Sequence, residues 1–99
     1  MKLQMNAVHV NATPQLLDFI QRKVDKLEAI YDRIVDGEVF LKLENCEAID
    51  NKIVEIKLNI PGNQLFAKEQ SESFEAATDQ AVDALRRQLR KYKEKQSSH

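Results

Sequence analysis

The apolar residues of this chain change period three times, and those changes limit the folds open to it. Leu16, Ile20, Val24, Leu27, Tyr31 and Ile34 recur at steps of three and four, which lays one apolar stripe along a helix of about five turns. From Val39 the period becomes two. Val39, Leu41 and Leu43 alternate with Glu38, Phe40, Lys42 and Glu44, then Val54, Ile56, Leu58 and Ile60 alternate with Glu55, Lys57 and Asn59. Alternation sends successive side chains to opposite faces, so each run predicts a strand with one buried face. The helical period returns with Phe74, Ala77, Ala81, Leu85, Leu89 and Tyr92.

Capping and turn residues set the borders. Leu3, Met5 and Ala7 alternate with Lys2, Gln4 and Asn6, predicting a first strand over about residues 2 to 10. Thr13 is placed to accept a backbone N–H as N-cap, and Pro14 fits the first helical position, where no donor is needed. The polar stretch Asn45 to Asn51 reads as a loop. Pro61-Gly62-Asn63 joins a fixed φ to a residue free to take φ > 0, so Gln64 to Lys68 return antiparallel. Ser71 to Ser73 supply capping oxygens, and Glu72 and Glu75 suit the positive end of a second helix. That helix is expected to run to about Lys93, with residues 94–99 as a frayed polar tail. The order is β-α-β-β-β-α. Two amphipathic helices need one sheet face to cover, which gives an α+β, two-layer sandwich with both helices on one face of a four-stranded sheet. Ninety-nine residues, 42% of them apolar, bury one modest core, so residues 1–93 form a single domain.

Two Gly and two Pro among 31% charged residues describe regular structure rather than disorder. No apolar run nears the roughly 18 to 20 residues of a membrane span, and the first residues lack a signal peptide's apolar stretch. Cys46 is the only cysteine and has no Cys or His at metal-ligand spacing, which fits a cytoplasmic protein with neither disulfide nor metal. The net charge of −1 conceals a segregation. Residues 85–99 hold six basic groups and one acidic group, +5, while residues 1–84 hold the other nine of 15 basic and fifteen of 16 acidic groups, −6. An acidic body with a basic helix end suggests a polyanion partner met by one surface and repelled elsewhere. A solvated helix end is an equal reading, because cations favour a helix C-terminus through the macrodipole.

No Gly-rich phosphate loop, paired His and Cys or nucleophile signature is present, which argues against an enzyme, a cofactor or a small-molecule substrate. His9, His99 and Cys46 read as ordinary residues. At 100° per residue, Arg86, Arg90 and Lys93 form one row beside the Leu85, Leu89 and Tyr92 stripe, and Arg87, Lys91 and Lys95 form a second on the far side. On the first helix Arg22, Lys26 and Arg33 line one flank, with Lys23 nearer the core edge, and Asp18, Asp25, Glu28 and Asp32 share the other. These charges either meet phosphate or pair on the helix, Asp18 with Arg22 and Asp25 with Lys26 or the next turn, at about 0.3 kcal/mol each. Phe40 and Phe66 are candidates for the sheet face away from the helices, where ordinary cross-strand packing is favoured over base stacking. The inward face is also open to Phe66, because the pattern leaves the register of the fourth strand unset.

Four segments resemble the ribosome hibernation-promoting factor family, also called ribosome-associated inhibitor or sigma-factor modulation proteins. They are Val10-Asn11-Ala12-Thr13-Pro14, Lys23-Val24-Asp25-Lys26-Leu27-Glu28, Ile60-Pro61-Gly62 and Ala84-Leu85-Arg86-Arg87-Gln88-Leu89-Arg90-Lys91-Tyr92-Lys93. The resemblance covers nearly the whole chain, and the last segment is its most specific part. Members commonly read Asp-Met-Tyr-Ala-Ala-Ile-Asp where this chain has Ser73-Phe74-Glu75-Ala76-Ala77-Thr78-Asp79, so it departs at the Tyr and Ile positions.

The resemblance implies a double-stranded-RNA-binding-like fold and a stress or stationary-phase role without catalysis. Such a protein binds the small ribosomal subunit in the channel of messenger and transfer RNA and inhibits translation by steric exclusion. The matching RNA-binding positions are Arg22, Lys23 and Lys26 on the first helix and Arg86, Arg87, Arg90, Lys91 and Lys93 on the second, with Arg33 and Lys95 secondary. The partners implied are the small subunit and its rRNA, with no membrane. A chain ending at His99 resembles the short members, for which a separate partner protein pairs ribosomes. Two other classes compete: a protein-interaction module that modulates a transcription factor, and a general double-stranded RNA binder.

Overall fold

The computed structural model describes residues 1–44 and 51–97. Its elements are β1 (Lys2–Ala7), α1 (Pro14–Asp25), a 3₁₀ turn (Lys26–Ala29), β2 (Asp36–Leu43), β3 (Lys52–Ile60), β4 (Asn63–Ser71) and α2 (Phe74–Ser97). The sheet order is β1-β2-β3-β4, with β1 and β2 parallel and the other pairs antiparallel. A parallel pair needs a crossover connection, and α1 supplies it. At the reversal between β3 and β4, Gly62 takes φ 76, in the left-handed region that glycine enters without steric cost.

The expected α+β layers form around one core. Val39, Leu41, Val54, Ile56, Leu58 and Ile60 face Ile20, Val24 and Leu27 from the first helical segment and Ala77, Ala81, Leu85 and Leu89 from α2. Leu43, expected with its strand neighbours, is 45% exposed at the end of β2. The caps form as derived: Thr13 Oγ1 accepts from Leu16 N–H at 3.2 Å, Pro14 opens α1, and Ser73 Oγ accepts from Ala76 N–H at 3.1 Å. Thr78 stands at the Ile position of the resemblance and is fully buried. Its hydroxyl donates to the Phe74 carbonyl at 2.7 Å, so the polar replacement is satisfied within its own helix.

Several borders differ from expectation. The first stripe is not one helix of five turns: α1 ends at Asp25, tightens to 3₁₀ through Ala29, and leaves Tyr31 and Ile34 buried on the segment leading to β2. A three-residue step suits a 3₁₀ turn as well as an α-helix, so spacing alone could not separate them. β1 ends at Ala7 rather than near residue 10, because His9 takes φ 56 and breaks the extended run. α2 continues through Ser97, past the expected end near Lys93; Glu94, Lys95 and Gln96 are good helix formers. Residues 45–50 of the expected loop, Cys46 among them, and His99 lie outside the described residues. Among the described residues no helix is long and apolar enough to cross a membrane.

Candidate functional site

α1 and α2 lie side by side on the sheet and run in the same direction. Lys23 Nζ is 3.0 Å from the Asp79 carboxylate; further along, Lys93 Nζ donates to the Ile30 carbonyl at 3.3 Å, and the Tyr31 and Tyr92 rings meet edge to face at 5.6 Å. Burial, with Tyr92 beside it, pushes the Tyr31 phenol above its ordinary value. Arg86 follows Asp79 by seven residues, two turns of helix, and Arg90 and Lys93 continue that row. The row that starts on Lys23 therefore carries Arg86, Arg90 and Lys93 along the seam between the helices. Across the seam, Arg22, Lys23 and Lys26 line a depression of about 250 Å³ with Phe19. Arg90 and Lys93 line a second, of about 340 Å³, with Ile30 and Glu94. Cations far apart in sequence thus form one band on the helical layer.

The band is partly neutralised by its own protein. Arg22 pairs with Asp18 at 3.1 Å, as its spacing predicts, and Arg86 and Arg87 share Asp83 at 3.6 and 3.3 Å. Lys23, held by Asp79, also lies 5.5 Å from the centroid of the Phe19 ring. Asp25 does not pair with Lys26; it accepts instead from Gln21 Nε2 at 2.9 Å. Among the described residues Lys26, Arg33, Arg90 and Lys91 form no ion pair. Exposed pairs are worth about 0.2–1 kcal/mol each, so a phosphate can compete for their cations. The Asp83 contacts were legible as i,i+3 and i,i+4 spacing. Asp79 crosses between helices, where no local pattern signals it.

Arg87, Lys91 and Lys95 stand apart from the seam. Gln88 Nε2 donates to the Phe66 carbonyl at 3.0 Å, which turns that flank of α2 toward β4, and Lys91 and Lys95 follow Gln88 on it at three and seven residues. All three cations are exposed. Arg33 is exposed beyond the 3₁₀ turn, so it does not continue a helical flank with Arg22 and Lys26. On the opposite side of the sheet, Phe66 is 47% exposed and pairs across strands with Lys57, which settles its direction as outward. Phe40 is half-buried beneath Lys42, 5.7 Å from its ring centroid, and Lys42 pairs with Glu55 at 2.9 Å. This is cross-strand packing of the ordinary kind.

Among the described residues no group of three His, Cys, Asp or Glu side chains is placed to hold a metal ion. A family model described as Sigma 54 modulation protein / S30EA ribosomal protein matches residues 3–97. The chain is 36% identical over 98 residues to a ribosome hibernation promoting factor from Pseudomonas putida, covering 99% of this chain and 92% of the relative. It is 33% identical to the factor of the same name from Klebsiella oxytoca, over 100% of each chain. In structure it is similar to a ribosomal subunit interface protein from Coxiella burnetii, with TM-score 0.84 and 25% identity over 94% of this chain and 98% of the other. It is similar also to the N-terminal domain of Thermus thermophilus Protein Y, with TM-score 0.81 and 25% identity over 93% and 99%. Matched from β1 to the end of α2 in sequence and in both layers of the fold, the chain belongs to the Sigma 54 modulation protein / S30EA ribosomal protein family.

Proposed function

We propose that this protein is a cytoplasmic ribosome hibernation factor that docks its inter-helix band on rRNA of the small subunit, in the messenger and transfer RNA channel, and stops translation by occupying it. The names of its relatives support hibernation over modulation of a transcription factor or general duplex binding. The observation that carries the docking is the seam, where Lys23 bonds to Asp79 at the head of the row of Arg86, Arg90 and Lys93, with Lys26 in the same depression as Lys23. Lysine and arginine displace counterions from phosphates without reading bases, and a rigid two-layer scaffold fixes their spacing, so a folded RNA shape is selected rather than a sequence. The acidic remainder of the chain repels RNA and limits it to that side. Binding alone accomplishes the inhibition.

The test is sedimentation of the purified protein with separated small and large subunits at low and moderate salt. Travel with the small subunit only is the expected result. If about five phosphates are neutralised, the log–log dependence of affinity on salt has a slope of about −4. Absence from both subunits at low salt overturns the proposal.

A further inference from the structure

Phe19 is an aromatic ring set among cations. It packs against the core yet remains partly exposed. Its exposed part walls two adjoining depressions: the basic one with Arg22, Lys23 and Lys26, and one of about 270 Å³ whose lining includes Thr13, Leu16 and Glu75. In the first, every other lining side chain is cationic. Phosphate alone would be served by those cations without a ring. A nucleotide uses both, because its base offers a flat π-face to an aromatic and its phosphate seeks the charges beside it.

We infer that this pocket receives one unstacked nucleotide of ribosomal RNA, its base against Phe19 and its phosphate between Arg22 and Lys26. The inference rests on the ribosome-binding function proposed above. Lys26 has no ion pair among the described residues, and Arg22 is 71% exposed and holds only a surface pair with Asp18. Lys23, tied to Asp79 at 3.0 Å, lies over one face of the ring with its Nζ 5.5 Å from the centroid, so the base takes the remaining exposed ring surface and gains positive potential. Stacking tolerates any base, so the site anchors a splayed nucleotide without dictating its identity.

Small-subunit affinity is measured for the wild type and for Phe19→Leu, Phe19→Met and Phe19→Tyr across a salt series, with thermal melting to confirm folding. Either variant that removes the ring and still folds should bind on the order of tenfold more weakly at every salt concentration. The salt slope should stay the same, since no phosphate contact is lost. Phe19→Tyr should bind like the wild type. Full affinity in a folded ring-deleted variant, with the wild type binding normally, overturns the inference and leaves the ribosome function standing. A wild type that binds neither subunit overturns both. Saturable binding of AMP that Phe19→Leu abolishes while small-subunit affinity is unchanged would assign the pocket to a free nucleotide and overturn the RNA assignment.

Discussion

Replacing Asp83 by Asn should tighten binding to the small subunit, although it removes two ion pairs from the free protein. Asp83 is 55% exposed and shared by Arg87 at 3.3 Å and Arg86 at 3.6 Å. A phosphate bonded about 2.8 Å from the far edge of either guanidinium would lie about 7 Å from the carboxylate. The repulsion at that separation is about 0.6 kcal/mol at the dielectric of water and about 1.2 kcal/mol at half of it. Asp83→Asn removes it, for a gain of about threefold to eightfold in affinity. One further phosphate equivalent neutralised steepens the salt slope by about 0.7 to 0.9. The folded state loses two exposed pairs, together below about 1 kcal/mol, or a few degrees in melting temperature for a domain of this size. Labelled protein titrated with small subunits at several salt concentrations, beside a thermal melt, measures both effects. Unchanged or weaker binding by a folded Asp83→Asn protein would refute the claim that Asp83 competes with RNA for these arginines.

Three other perturbations have defined outcomes. Changing Arg86, Arg90 and Lys93 together to Glu should leave the circular dichroism spectrum native and abolish co-sedimentation with the small subunit, because their row lies off the core stripe; retained binding would remove the seam from the interface. Gly37→Ala should cost about 1–3 kcal/mol in urea unfolding, since a Cβ there would lie 2.8 Å from Leu3 Cδ2, 3.0 Å from Leu58 Cδ2 and 3.1 Å from the Lys57 carbonyl oxygen. At His9, where φ is 56, His9→Gly should fold with equal or greater stability and His9→Val should lose about 1–2 kcal/mol, both read by the same unfolding assay.

Much of the architecture could be read from local periodicity because strands and caps are local devices. The alternation of Val54, Ile56, Leu58 and Ile60 names a buried face whatever lies beside it, and all four are buried. The end of α1 was hidden because Leu27 and Tyr31 keep helical spacing while the chain changes its hydrogen-bonding pattern; the Ile30 N–H bonds to the Leu27 carbonyl at 3.0 Å, an i to i+3 bond. Phe66 was undecided because one strand's pattern does not set register, which depends on pairing with β3. In the candidate site the basic rows of α2 followed from angular arithmetic. That one row faces Lys23 and the other does not is a property of helix docking, and the Asp79 contact that reveals it joins residues 56 positions apart (79 minus 23).

The early end of the first helix also decides how its neighbour is held. Had the helix continued through Ile34, the Ile30 carbonyl would have been taken by the N–H four residues on. By leaving the helix, the chain presents that oxygen sideways, and the Lys93 ammonium reaches it from α2 at 3.3 Å. Lengthening one helix would therefore remove one of the ties that hold the other. A substitution in the 26–34 segment that favours regular helix, harmless by any propensity scale, would release this cross-tie and let the two halves of the cationic seam drift in their relative spacing.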